Sequence, residues 1–289
     1  MSDDLTQRLR AHLQEIVRPR DPYLATQGHF YVREYIRSNF QNWGTTNVDR
    51  FEMAKQPYEN LILRVPPREP TSRPPILIGA HYDAVPGSPG ADDNASGVAV
   101  LLELARSIAA EPLRYPVQFA AFDLEEIVVA NGEALGLRGS SHYAMQLRRQ
   151  NQPLRLMVAL EMLGYCTDKP GSQNYPSGLQ YFYPDRGNFI ALVGNLRSIR
   201  DLWGLSRQIR HEIPCEWLPV PNLGKPVPDT RRSDHAPFWD NGYNAVMVTD
   251  TANLRNPNYH QASDSIDTLN LAFLAKVCRG LERAVRSIS

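Results

Sequence analysis

The chain has 289 residues, 42% hydrophobic and 21% charged, which is enough apolar material for a sizeable core and too little charge for a disordered chain. Thirty-one Lys and Arg balance thirty-one Asp and Glu, so no basic excess is available to neutralise a phosphate backbone, and nucleic acid is not an expected partner. No apolar run approaches the ~20 residues that span a bilayer, and Met1-Ser2-Asp3-Asp4 lacks the basic start and apolar stretch of a secretory signal, so no membrane association and a cytoplasmic location are expected.

Leu5, Leu9, Leu13, Ile16 and Val17 recur at helical spacing until Pro19 and Pro22 end the run. A second helix is predicted over 26–40, stopped near Gly44. The short apolar runs 61–63 and 76–78, split by a proline-rich stretch, read as strands. Beyond a glycine-rich loop, Val98, Leu101, Leu102, Ala105 and Ile108 mark one face of a helix, with Asn94 and Ser96 placed to cap its start. Residues 117–122, 156–160 and 245–248 add buried strands, and Leu271, Leu274, Val277, Cys278, Leu281 and Val285 outline a last amphipathic helix. This alternation predicts an α/β fold of three layers, a mostly parallel central sheet with helices on both faces. A single domain over 1–289 is expected, in which 167–232, rich in Pro, Gly and Asn, forms long loops and two helices that rim the site. Cys166, Cys215 and Cys278 match no zinc-binding spacing and read as free thiols. The basic residues are 27 Arg against 4 Lys, a bias that carries no functional pattern.

In an open α/β sheet the binding crevice lies beyond the carboxyl ends of the strands. The residues just past each predicted strand here are chemically uniform. His81-Tyr82-Asp83 come after the strand at 76; Asp123, Glu125 and Glu126 after the strand at 117; Glu161 after the strand at 156; and the loop beyond 248 carries Tyr259-His260. The loop beyond His81 delivers Asp92-Asp93-Asn94 to a helix start. Carboxylates crowded at one edge without Lys or Arg beside them repel or protonate unless a cation sits among them. Imidazole with carboxylate and no cysteine suits zinc or a similar divalent ion, so the metal site is expected at the carboxyl edge of the strands. Were Asp93 to bridge two ions, His81 and Glu161 would fall to one and Glu126 and His260 to the other. Three carboxylates and one hydroxide would then neutralise two dications. Asp83, two residues from a ligating His81, can accept its other ring N–H. Glu125 and Glu126 are expected to point apart, which frees Glu125 to act as a general base.

Those residues resemble the M28 family of co-catalytic zinc metallopeptidases. The resemblance rests on His81-Tyr82-Asp83, on Gly90-Ala91-Asp92-Asp93-Asn94-Ala95-Ser96-Gly97, on Glu125-Glu126, and on Tyr259-His260 with Asp264 beyond, and it spans nearly the whole chain. It implies that Asp93 bridges two zinc ions, that His81, Glu126, Glu161 and His260 ligate them, and that Glu125 is the acid/base. It further implies that Tyr259 helps to hold the oxyanion and that a non-proline cis peptide lies after the bridging carboxylate, at Asp93-Asn94. Two departures stand out: Glu161 occupies a position more often held by Asp, and 127–135 reads as an insertion, placed to rim the pocket, before Gly136-Leu137-Arg138-Gly139-Ser140.

The activity implied is removal of N-terminal residues from a peptide or aminoacyl substrate, with a metal-bridging hydroxide and Glu125 as base. Two other readings stand beside it: a single-zinc glutaminyl-peptide cyclase on the related branch, and an inactive peptidase-like binding protein. Ser233-Asp234-His235 cannot form a catalytic triad, since triads are assembled from distant positions. These three are read as site lining, with Asp234 behind the metal ligands. His12, His29, His142 and His211 are read as surface or core residues.

Overall fold

The computed structural model describes residues 2–126, 128–130 and 133–288. Two helices, α1 (Ser2–Ile16) and α2 (Thr26–Trp43), lead into the hairpin of β1 (Thr45–Met53) and β2 (Gln56–Val65). Then come β3 (Ile76–His81), α3 (Gly97–Ala110), β4 (Val117–Phe122), the short pair β5 (Val128–Ala130) and β6 (Glu133–Leu135), α4 (Arg138–Arg149) and β7 (Leu156–Glu161). The chain closes with β8 (Ile190–Asn195), α5 (Ile199–Ile209), β9 (Cys215–Val220), α6 (His235–Asp240), β10 (Ala245–Thr249) and α7 (Leu271–Arg286). Among the described residues no helix is long and apolar enough to cross a membrane.

Eight of these strands form one sheet in the order β1-β2-β4-β3-β7-β10-β8-β9. Its centre, β4-β3-β7-β10, is parallel throughout. The β1-β2 hairpin joins β4 antiparallel and β8 joins β10 antiparallel, so the sheet as a whole is mixed. Because β side chains alternate between faces, each central strand feeds two cores. Ile76, Ile78, Leu156, Val158, Leu160, Val246 and Val248 pack with α1, α2, α3, α5 and α7 on one side. Leu77, Met157, Ala159, Ala245 and Met247 pack with α4 and α6 on the other. Helices therefore cover both faces, as the pattern of apolar runs implied.

Three differences from the sequence-based expectations have physical causes. Strand β1 is mostly exposed or half-buried and offers no apolar run to find. The stretch 167–232 holds one α-helix, α5, where two were expected, and adds β8 and β9, which extend the sheet. And Ser96 does not cap α3: its hydroxyl donates to Asp92 O (2.8 Å) and accepts the Leu163 amide, while Asn94 Oδ1 accepts the Gly97 amide at 3.1 Å. Of the suspected insertion, Ile127, Asn131 and Gly132 lie outside the described residues, and the backbone on either side pairs as β5-β6.

Candidate metal centre

The four parallel central strands end at one edge, and each brings an ionisable group there. His81 is the last residue of β3 and Glu161 the last of β7; the loop after β4 carries Glu125 and Glu126, and the loop after β10 carries His260. Asp93 reaches the same place from the turn that opens α3, through a cis peptide at Asp93-Asn94. His81 Nε2 lies 3.3 Å from Asp93 Oδ1 and 3.5 Å from Glu161 Oε2. His260 Nε2 lies 3.2 Å from Asp93 Oδ2 and 3.3 Å from Glu126 Oε2. Each oxygen of Asp93 thus faces a different imidazole. Two groups of potential ligands result, His81-Asp93-Glu161 and Asp93-Glu126-His260, and they share Asp93. The residues singled out from the sequence around the centre all meet, Glu125 included.

Glu125 and Glu126 do not point apart. The chain has left β4 by that point, the strand alternation no longer applies, and both side chains join a third group with His81, Glu125 Oε2 standing 3.9 Å from His81 Nε2.

Supporting residues fix these positions. Asp83 stands 3.4 Å from His81 Nδ1, and its two oxygens also accept the amides of Glu125 (3.2 Å) and Glu126 (3.1 Å). Asp264 accepts the amides of Asp92 and Asp93 at 3.0 and 3.1 Å. Asn94 Nδ2 donates to Leu160 O at 2.8 Å, tying the Asp93 turn to the end of β7. The Ser233 hydroxyl donates to Glu161 Oε2 at 2.7 Å, a partnership that the sequence indicated only as lining. Left-handed backbone at Leu124 (φ 54°), Met162 (φ 49°) and His260 (φ 59°) sits at or beside a site residue, in keeping with the clustering of uncommon backbone angles at functional sites.

Asp234 is buried beside the ligands, with Oδ1 unpartnered among the described residues. His235 turns away: its Nε2 meets Thr230 O at 2.8 Å and its ring stands edge-on to Trp239. His29 meets Asp123 at 2.8 Å and His12 meets Tyr35 at 2.8 Å, both inside the fold, and His142 lies 3.4 Å from Asp49; none joins the centre. His211 is exposed. Tyr259 stacks on the His260 ring with centroids 3.7 Å apart, and Arg232 donates to its hydroxyl at 2.9 Å. Beside Glu161 and Tyr259 opens a cleft walled by Tyr175, Tyr183, Phe189, Trp217, Leu218 and Met247.

The profile of Peptidase family M28 matches residues 60–193 and 207–285. This chain belongs to peptidase family M28. It is 38% identical over 262 residues to the uncharacterised protein YfbL of Escherichia coli (strain K12), a match that covers 86% of this chain and 77% of YfbL. It is 31% identical over 199 residues to aminopeptidase YwaD of Bacillus subtilis (strain 168), covering 68% of this chain but 37% of YwaD, so the chain spans well under half the length of that relative. Among solved structures it resembles BSAP, a zinc aminopeptidase from Bacillus subtilis, with TM-score 0.61 and 25% identity over 81% of this chain and 50% of that one. It resembles Macrostomum lignano glutaminyl cyclase with TM-score 0.74 and 19% identity, over 98% and 90% of the two chains; this second likeness is one of fold. As an M28 member the chain is a metallopeptidase.

The electrostatics of the M28 site arise from burial and crowding. Burial pushes Glu125 well above the ordinary carboxylate range, and Glu161, Glu126 and Asp234 add to the rise against the pull of His81. Burial, then the facing charge of Asp93, lifts Glu126 to about 7; burial likewise lifts Asp234 to about 7 and raises Glu161. Burial opposes charge on Asp93 as well, but His260 and His81 hold it far below the usual range. Burial also disfavours protonation of both imidazoles, yet the surrounding carboxylates hold His81 well above its ordinary value and lift His260 to about 10. The cluster as built draws in positive charge.

Proposed function

We propose that this M28 chain is a two-zinc aminopeptidase. The observation that carries the reading is the shared position of Asp93, whose two oxygens face the two imidazoles of separate ligand groups. The donor set fits the metal: Nε2 of His81, Nε2 of His260 and Oε1 of Glu126 are buried and have no hydrogen-bond partner among the described residues, and imidazole with carboxylate suits zinc. His81, Asp93 and Glu161 would hold one ion, and Asp93, Glu126 and His260 the other. When bound, the ions supply Lewis acidity that polarises a carbonyl and acidifies water near neutral pH.

The rest is the work of the chain's own groups. Glu125 Oε2 takes the proton of the attacking water and returns it to the departing amine. Burial raises the Tyr259 phenol, which keeps its proton; with Arg232 donating to its oxygen, that proton is free to be donated to the carbonyl oxygen as it gains charge. The carboxylates at the edge accept a substrate α-ammonium. The aromatic cleft beside Glu161 receives the side chain of the N-terminal residue, and its Trp, Tyr, Phe and Met walls favour a bulky apolar one. We take residues 1–289 as one functional unit, since β8 and β9 of the rim lie in the same sheet as the ligand-bearing strands.

Glu125→Gln should lower turnover of leucyl and phenylalanyl amides by at least ~10² while leaving two zinc ions per chain by elemental analysis. Unchanged turnover removes Glu125 from the mechanism. A single-zinc cyclase would need only one ligand group, so the presence of two groups, His81-Asp93-Glu161 and Asp93-Glu126-His260, favours the hydrolase. One zinc per chain, with cyclisation of glutaminyl peptides and no amide hydrolysis, would reverse that choice.

A further inference from the structure

The bend between α1 and α2 carries Arg20, a fully buried arginine that lies outside both stretches matched by the family profile. Among the described residues its guanidinium meets no carboxylate at hydrogen-bonding distance. Instead Nε donates to Tyr82 O at 2.8 Å, Nη1 to Pro89 O at 2.6 Å and to Arg18 O at 3.4 Å, and Nη2 to Gly90 O at 2.9 Å and to Asp93 O at 3.3 Å. Tyr82 is the neighbour of His81, and Asp93 is the shared carboxylate. One side chain thus ties together the two backbone segments that present the central ligands.

Chemistry explains why this residue is arginine. A buried cation without a paired carboxylate is costly unless its donors are met and opposite charge lies near. Here the donors meet carbonyls, and Asp93, Asp83, Asp264 and Glu126 supply the field. A planar fork with five N–H groups can reach several carbonyls at fixed angles, which a lysine ammonium cannot. The loop is shaped to the clamp. Gly90 adopts φ +59°, and a Cβ there would lie 2.3 Å from Asp93 O and under 3.0 Å from both terminal guanidinium nitrogens. The bend that delivers Arg20 is itself set by Asp21, whose Oδ1 accepts the amides of Tyr23 (3.0 Å) and Leu24 (2.6 Å).

We infer that Arg20 is a positioning residue for the metal centre, holding the His81 and Asp93 segments in register through their backbone carbonyls. This rests on the two-zinc reading. The test strips the full chain with a chelator and titrates it with zinc alone, comparing the wild type with Arg20→Met, Arg20→Lys and Asp21→Ala, with a thermal melt of each metal-free protein alongside. Arg20→Met should weaken zinc binding by at least ~10-fold, in the range seen when groups behind metal ligands are lost; Arg20→Lys should recover part of that, and Asp21→Ala should show a smaller loss with Arg20 intact. A merely structural role would lower the metal-free melting temperature and leave the zinc affinity of the folded variants unchanged, and that result overturns the inference. If neither Arg20 variant folds, Asp21→Ala decides: unchanged zinc affinity in it counts against the clamp. A wild-type chain that takes up no zinc sinks the two-zinc reading and the inference together, whereas tight wild-type binding with indifferent variants sinks the inference alone.

Discussion

The two imidazoles of the centre are held in opposite ways. His81 closes a central strand, is fully buried, and has Asp83 at its other nitrogen and β4 and β7 on either side. His260 sits in the loop after β10 in left-handed backbone, about 33% exposed, supported by the stacked ring of Tyr259. One half is therefore fixed by the sheet. The other is fixed by a loop at the solvent side, beside the aromatic cleft, where some freedom to adjust is useful.

This contrast predicts unequal consequences for equivalent changes. His81→Ala leaves Glu125, Glu161 and Asp93 buried without their cationic partner and opens a void, so the metal-free protein should lose about 3 kcal/mol in urea denaturation. His260→Ala also strips Asp93 and Glu126 of a cationic partner but leaves no buried void at its partly exposed position, so it should cost about 2 kcal/mol in the same assay while abolishing most activity. Equal losses would erase the distinction between the halves. Ser233→Ala sharpens it within the buried half: removing the hydroxyl donor of Glu161 should cost about 2 kcal/mol, as for a hydrogen bond to a charged group, and lower the zinc content recovered after dialysis. No change in either would mean that the longer arm of Glu161 needs no support.

The smallest effect lies away from the centre and calibrates the acid limb of such measurements. Burial opposes ionisation of Glu103 on α3, but His12, Arg106 and Arg8 hold it down at about 2, against 4.5 ordinarily. With the folded value below the unfolded one, its contribution is complete above about pH 4.5 and is lost as pH falls from there towards 2. Screening by solvent at the partly exposed arginines leaves on the order of 1 kcal/mol. Glu103→Gln should flatten the pH dependence of stability in that window, and an unchanged slope would show that the pairing contributes nothing.

The centre was legible in the sequence because a short apolar run announces a buried strand, and chemistry-bearing residues directly after it must lie at the carboxyl edge. His81, Glu125, Glu126 and Glu161 all stand at or just past the end of such a run. The long-range amide and hydroxyl contacts that support the centre have no such local signal. Asp83 and Asp264 matter structurally by accepting amides 42 and 171 residues away, and Ser233 by meeting a carboxylate 72 residues distant. Strand β9 carries Pro219, which breaks a strand pattern and is tolerated because β9 is an edge strand. Arg20 stands between the helix-ending Pro19 and Pro22 with no local signal of its own.

The antiparallel hairpin at the start of the sheet has a practical consequence for anyone shortening this chain. A fragment cut back to the start of the region common to the family would begin within β2, discarding β1 and stranding a row of main-chain donors and acceptors along a newly bare margin. Such a margin invites pairing with a second molecule, so a minimal version of this peptidase is expected to be sticky in solution unless the residues ahead of that cut travel with it.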